Sequence, residues 1–92
     1  MAVTVKLPGV LRAEAGGAAA VRVAAHGSLR AALDALDEVH PRLGRRLRDE
    51  QGTLRRYVNV YVDGEDCRAL GGLDTPVPDG AEILVMPSVA GG

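Results

Sequence analysis

Aromatic residues are nearly missing from this 92-residue chain: it has two tyrosines, Tyr57 and Tyr61, and neither Phe nor Trp. Stacking on single-stranded nucleic acid, which needs several aromatic faces, is therefore disfavoured, and any core must be built from Val, Leu, Ile and Ala. There is one cysteine, Cys67, which excludes an internal disulfide framework and fits a reduced, cytoplasmic setting. Lysine occurs once, as Lys6, among 11 Lys and Arg residues. No apolar run approaches the roughly 20 residues needed to span a bilayer, and Lys6 is followed by Pro8-Gly9 instead of the apolar stretch of a signal peptide. The chain has no Gly-rich phosphate loop ending in Lys-Ser/Thr and no Cys-x-x-Cys pair. A domain this small buries only about 60–65% of its unfolded surface, which argues against a self-contained ATP-using or redox enzyme.

What is present is a foldable composition, 47% hydrophobic and 25% charged, with a net charge of −1. Neither a nucleic acid nor an anionic membrane is attracted by such a global charge. The charge is unevenly spread, however. Residues 1–40 balance, 41–56 carry six Arg against Asp49 and Glu50, and 57–92 carry Arg68 against six acids. The basic stretch reads first as a solvated helix face and loop, with a docking patch as the alternative.

Period-two alternation in 2–7 (Val3, Val5 and Leu7 against Thr4 and Lys6) predicts a half-buried strand. Pro8-Gly9 ends it, and 8–17 reads as a loop leading to a second strand over 18–24. Ser28 is a good N-cap for a helix whose apolar stripe is Leu29, Ala32, Leu33, Leu36 and Val39 or His40, with Asp34, Asp37 and Glu38 facing away. Pro41 interrupts that helix or opens a short second turn. Leu43 and Leu47 continue the stripe, with Arg42, Arg45, Arg46 and Arg48 expected in water. Residues 57–62 give the clearest strand, followed by an Asp63-Gly64 turn, a short return segment over 65–69, an irregular stretch, an Asp79-Gly80 turn and a last strand over 81–86. On that strand Ile83 and Val85 share one face, and Leu84 and Met86 the other. The order predicts an α+β fold: a mixed sheet of four to five strands with one main helix on one face. The expected division is a domain over 1–86 and a flexible tail over 87–92, whose six residues reach at most about 20 Å.

Catalytic constellations are lacking. His26 and His40 read as a loop residue and a helix-end residue, Cys67 as a small buried hydrophobe, and Asp63, Glu65 and Asp66 as a solvated hairpin tip, so no metal site is expected. The remaining candidate is the carboxylate of Gly92. A terminal Gly-Gly pair means little alone, but here it follows a last strand and a short apolar tail.

Taken together, Val-Asn-Val-Tyr-Val-Asp-Gly-Glu at 58–65, Asp79-Gly80-Ala81-Glu82 and the ending Met86-Pro87-Ser88-Val89-Ala90-Gly91-Gly92 resemble the MoaD/ThiS family of ubiquitin-like sulfur carriers. Leu7-Pro8 with Leu11-Arg12, and then Gly16-Gly17, resemble its CysO-type branch. The resemblance implies a ubiquitin-like β-grasp fold and a protein co-substrate, not an enzyme. It also implies an adenylating, ubiquitin-activating-like partner, which brings the ATP, since the carrier binds no cofactor itself. A sulfur-accepting synthase follows, with a metalloprotease to trim the product if cysteine synthesis is the receiving pathway. Cysteine is favoured; thiamin, molybdopterin or a thiosugar are alternatives.

The chemistry at the tail follows from its groups. A terminal carboxylate is ionised at neutral pH, with a pKa near ~3.5, and is a poor electrophile; joined to AMP, it gains a leaving group that sulfide or a persulfide can displace, leaving a thiocarboxylate on Gly92. Gly91 and Gly92 would thread a narrow passage where a Cβ would clash, and Val89 and Ala90 would anchor the extended tail through backbone hydrogen bonds. Leu84 and Met86 are expected to form a partner-docking patch, with Tyr57 or Tyr61 extending it and Arg55 and Arg56 at its rim; the alternative is that these side chains pack on the 65–77 segment. Rival readings are a ubiquitin-like modifier linked through Gly92, for which a single lysine disfavours chain building, a plain interaction domain, and an enzyme centred on Cys67.

Overall fold

The computed structural model describes residues 2–24 and 27–87. The chain starts with strand β1 (Ala2–Lys6) and returns along β2 (Ala20–Ala24), antiparallel to it with Val5 opposite Val21 and Val3 opposite Val23. All four valines are buried, as the alternation requires. The connection between the two strands is a correction to the sequence reading: Gly9–Ala15 forms a 3₁₀ helix and not an irregular loop. Leu11 and Ala15, four residues apart, bury there, and Gly16 ends the turn with φ +67°, a left-handed conformation that glycine adopts at little cost. The Leu11–Ala15 spacing was the available signal.

A two-residue strand, β3 (Gly27–Ser28), leads into α1 (Leu29–Val39). Ser28 caps it, its Oγ accepting from Ala31 N–H at 3.1 Å. The buried stripe is Leu29, Ala32, Leu33 and Leu36. It stops there: Val39 is exposed, and His40 is the shared boundary with α2 (Pro41–Leu47). Pro41 thus opens a second helix, in the first-turn position where its missing N–H is harmless. Leu43, Gly44 and Leu47 of α2 are buried.

Arg48 corrects a further expectation. It is 8% exposed, not in water, and its Nη2 donates to Asp34 Oδ1 and to Asp37 Oδ2, both at 2.7 Å. The pattern misled because Asp34 and Asp37 flank the α1 stripe on the side where α2 packs, so they face a cation brought in by the second helix. Gly44 makes the close approach possible; a Cβ there would overlap Asp37 Oδ1 and stand 2.6 Å from its Cγ.

Beyond the loop, β4 (Val58–Val62) and the short β5 (Glu65–Asp66) form a hairpin. Asp63 and Gly64 at its tip have φ +48° and +87°, the two positive values of a type I′ turn. A 3₁₀ turn over Cys67–Ala69, a second over Gly72–Asp74 and a two-residue strand β6 (Pro76–Val77), paired with β3, complete the crossover. Strand β7 (Glu82–Pro87) then enters the middle of the sheet, parallel to β1 and antiparallel to β4. Pro87 still pairs with Val58, so the strand takes in the first residue assigned to the tail.

The five-stranded order is β2-β1-β7-β4-β5. One face buries Val3, Val5, Val21, Val23, Val58, Val60, Val62, Ile83 and Val85 against the leucines of α1 and α2, each large side chain contributing ~1.5–3 kcal/mol by leaving water. Among the described residues the other face carries no helix, and it is this face that the candidate site occupies.

Candidate functional site

Alternation along the central strands decides what the open face presents. Because Ile83 and Val85 are fully buried, Leu84 and Met86 must emerge on the opposite side. The register sets Tyr61 across from Leu84 and Asn59 across from Met86, while Lys6 of β1 lies beside Leu84. The result is a short apolar strip of Tyr61, Leu84 and Met86. Tyr61 and Leu84 are half-buried and Met86 is 43% exposed. A Lys6–Glu82 ion pair at 3.0 Å borders it on one side.

The other border is an arrangement that sequence reasoning missed. Arg68 donates from Nη1 to Asn59 Oδ1 at 3.0 Å, and from Nη2 to Val58 O at 2.9 Å and Arg55 O at 3.2 Å. It pins the segment before β4 to the start of that strand. A lone arginine in a stretch of acids gave no periodic signal; only the β4–β5 hairpin returns it to this spot.

Arg55 and Arg56 stand at the same end of the sheet. Arg55 O accepts from Val58 N–H at 3.1 Å, and Val58 faces Pro87. Arg55 is half-buried, with its Nε donating to Arg45 O at 2.8 Å and its backbone N–H to Leu47 O at 2.9 Å, whereas Arg56 is exposed. Tyr57, expected within the strand, precedes it and is largely exposed. The structure therefore brings Tyr61, Leu84 and Met86 together, with Arg55 and Arg56 close to where β7 ends. Val89, Ala90, Gly91 and Gly92 lie outside the described residues, as does His26.

Other candidates behave as structural residues. Cys67 is fully buried. Burial, and next the nearby Asp66 carboxylate, push its thiol pKa above the ordinary value, which keeps it protonated and unreactive at neutral pH. Asp63 Oδ1 accepts from Glu82 N–H and Asp66 Oδ1 from Arg68 N–H, each at 2.9 Å, so the hairpin acids satisfy the backbone. Among the described residues no group of three His, Cys, Asp or Glu is placed to hold a metal ion, and no helix is long and apolar enough to cross a membrane.

Comparison with known proteins adds four findings. The ThiS family model matches residues 5–92. The sulfur carrier protein CysO of Mycobacterium tuberculosis is 40% identical over 94 residues, covering 100% of each chain. In the crystal structure of the Amycolatopsis orientalis BexX/CysO complex, the matched chain is 38% identical with a TM-score of 0.88, over 98% of this chain and 99% of that one. The small archaeal modifier protein 1 of H. volcanii is 32% identical with a TM-score of 0.81, over 96% of this chain and 98% of that one.

Proposed function

The chain belongs to the ThiS family of ubiquitin-like sulfur carriers, β-grasp proteins that are carriers and not catalysts, and from that premise we propose that its working group is the Gly92 carboxylate. A partner enzyme brings ATP. The carboxylate oxygen attacks the α-phosphate, pyrophosphate leaves, and an acyl-adenylate forms at Gly92. Sulfide then attacks the acyl carbon and AMP departs; where a persulfide on the partner attacks instead, the acyl disulfide that forms is cleaved by a second thiol of the partner, which is left in a disulfide as the thiocarboxylate is released. The thiocarboxylate so made gives its sulfur to an acceptor in biosynthesis, cysteine first, with thiamin, molybdopterin or a thiosugar as alternatives. The full-length identity with the mycobacterial sulfur carrier is the observation that carries this reading.

The parts have separate tasks in this proposal. The residues after Pro87, which still pairs with Val58, enter the partner in this proposal, with Val89 and Ala90 held by backbone hydrogen bonds and Gly91 and Gly92 in a passage too narrow for a Cβ. Tyr61, Leu84 and Met86 dock on the partner through the apolar strip, with Arg55 and Arg56 at its edge. The A. orientalis structure pairs a CysO with a second protein, BexX, and a protein partner for this chain is proposed by analogy, together with a sulfur-accepting synthase, a product-trimming metalloprotease and a cytoplasmic setting. A second reading, conjugation to other proteins through Gly92, is favoured by the likeness to the archaeal modifier.

The test is intact-mass spectrometry after incubation with the adenylating enzyme, ATP and a sulfide source. A gain equal to the exchange of one oxygen for sulfur, lost on deleting Gly92, supports the carrier reading; an unchanged mass in the presence of active enzyme refutes it. Conjugates in lysate that require Gly92 and appear without that mass gain favour the modifier.

A further inference from the structure

The arginines of the 41–56 segment are not spread evenly around the molecule. On α2, Arg42, Arg45 and Arg46 are exposed while Leu43, Gly44 and Leu47 are buried, so the three cations form one ridge at helical spacing of three and four residues. Arg56 is exposed on the loop that follows. None of the four guanidinium groups has an ion-pair or hydrogen-bond partner among the described residues, whereas Lys6, Arg30 and Arg48 are each paired with a carboxylate. The acids nearest in sequence are mostly engaged: Asp34 and Asp37 hold Arg48, and Asp49 Oδ1 accepts from the Gln51 and Thr53 N–H groups. Glu38 and Glu50 are left exposed.

The position of this ridge is set by backbone bonds. Arg55 N–H donates to Leu47 O at the end of α2, Val58 N–H to Arg55 O, and Val58 faces Pro87. The ridge therefore stands at the end of the sheet from which the chain continues to Gly92. The opposite end of β4, about 17 Å away for a five-residue strand, carries the opposite sign. Asp63 and Glu82 are joined there by two backbone-directed hydrogen bonds, Glu65 follows in the hairpin, and Asp79 Oδ1 holds Ala2 N–H. The exposed arginines and the Asp63, Glu65 and Asp79 carboxylates thus lie toward opposite ends of the central strands, in a molecule of net charge −1.

We propose that Arg42, Arg45, Arg46 and Arg56 form an electrostatic docking surface for an acidic patch on the activating enzyme, orienting the carrier so that its C-terminal end arrives first. This inference rests on the carrier reading above and adds to it a partner surface of defined charge on α2, which adjoins the apolar strip at Arg56. A protein partner fits better than a polynucleotide. A long polyanion would run into the acidic end, and the exposed cations have no aromatic platform beside them except Tyr57.

The test is ATP–pyrophosphate exchange catalysed by the adenylating enzyme of the same organism, with kcat and KM for the carrier measured across a salt series. For the wild type kcat/KM should fall as salt rises, because steering is screened. Arg42→Glu/Arg45→Glu/Arg46→Glu should lower kcat/KM about tenfold or more at low salt, leave kcat within about twofold, and flatten the salt dependence. Glu65→Lys at the far end should change kcat/KM less than about twofold. If the triple variant misfolds by circular dichroism, Arg42→Gln/Arg46→Gln with Arg56→Gln should show the same loss in smaller measure. Exchange by the variants equal to wild type at every salt overturns the docking surface and leaves the carrier reading standing. So does tighter salt-sensitive binding of the wild type to bulk tRNA than to the enzyme. No Gly92-dependent exchange with wild-type protein refutes both.

Discussion

Gly44→Ala probes the close approach of α2 to α1 at Asp37. The new Cβ would overlap Asp37 Oδ1 and lie 2.6 Å from Cγ, so the carboxylate must swing away. Asp37 Oδ1 is already buried without a hydrogen-bond partner, and the displacement also breaks the 2.7 Å bond from Arg48 to Oδ2. A hydrogen bond to a charged group is worth ~1.5–3 kcal/mol net. Asp37 is 42% exposed and Asp34 remains on Arg48, so the lower end applies, about 1.5 kcal/mol after screening. Forcing the side chain off its rotamer adds ~1 kcal/mol. Against this, Ala exceeds Gly in helix propensity by ~1 kcal/mol. The expected net loss is therefore about 1.5 kcal/mol, a fall in Tm of roughly 6–12 °C for a domain of this size. The decisive assay is a double-mutant cycle by thermal and urea unfolding. In an Asp37→Ala background the obstruction is gone, and Gly44→Ala should stabilise by up to ~1 kcal/mol, a coupling of about 2–2.5 kcal/mol. Equal effects of Gly44→Ala in both backgrounds would refute the account.

Three further outcomes follow from the same structure. Because burial holds the Cys67 thiol pKa above its ordinary value of 9.0, the unfolded chain loses this proton first as pH rises. Stability should be fully present below about pH 9 and decline above it, and Cys67→Ala should remove that part of the slope in unfolding measured across pH 7–11, while leaving thiocarboxylate formation intact. Gly64→Ala places a Cβ at φ +87° and should cost ~1–2 kcal/mol, read as a lower urea midpoint with unchanged m-value. Met86→Glu puts a charge into the apolar strip and should raise the KM of the activating enzyme for the carrier by about tenfold with no fall in Tm, since Met86 is 43% exposed and contributes little to the core; an unchanged KM would remove the strip from the interface.

Strand and helix identities were legible because local periodicity carries them. Val3/Val5, Val58/Val60/Val62 and Ile83/Val85 alternate over runs long enough to name the buried face, and Ser28 marks the start of α1 through a bond to a residue three positions on. The outward placement of Leu84 and Met86 follows from the same parity. The 3₁₀ turn over Gly9–Ala15 was obscured by its glycines and proline, which mark loops as readily as helix ends.

The chain's own order of residues determined which segments pair water with polar groups and which hide from it, and it placed Gly91-Gly92 after the last strand. Tertiary structure alone decided which distant groups meet: Arg48 with Asp34 and Asp37 across two helices, Arg68 with the carbonyls of Arg55 and Val58, and the ridge of exposed arginines at the end where β7 stops. The physical reason is range. Side-chain parity and capping act over one to four residues, whereas charge pairing depends on distance in space, which is known only once β7 has been inserted between β1 and β4 and α2 has closed against α1.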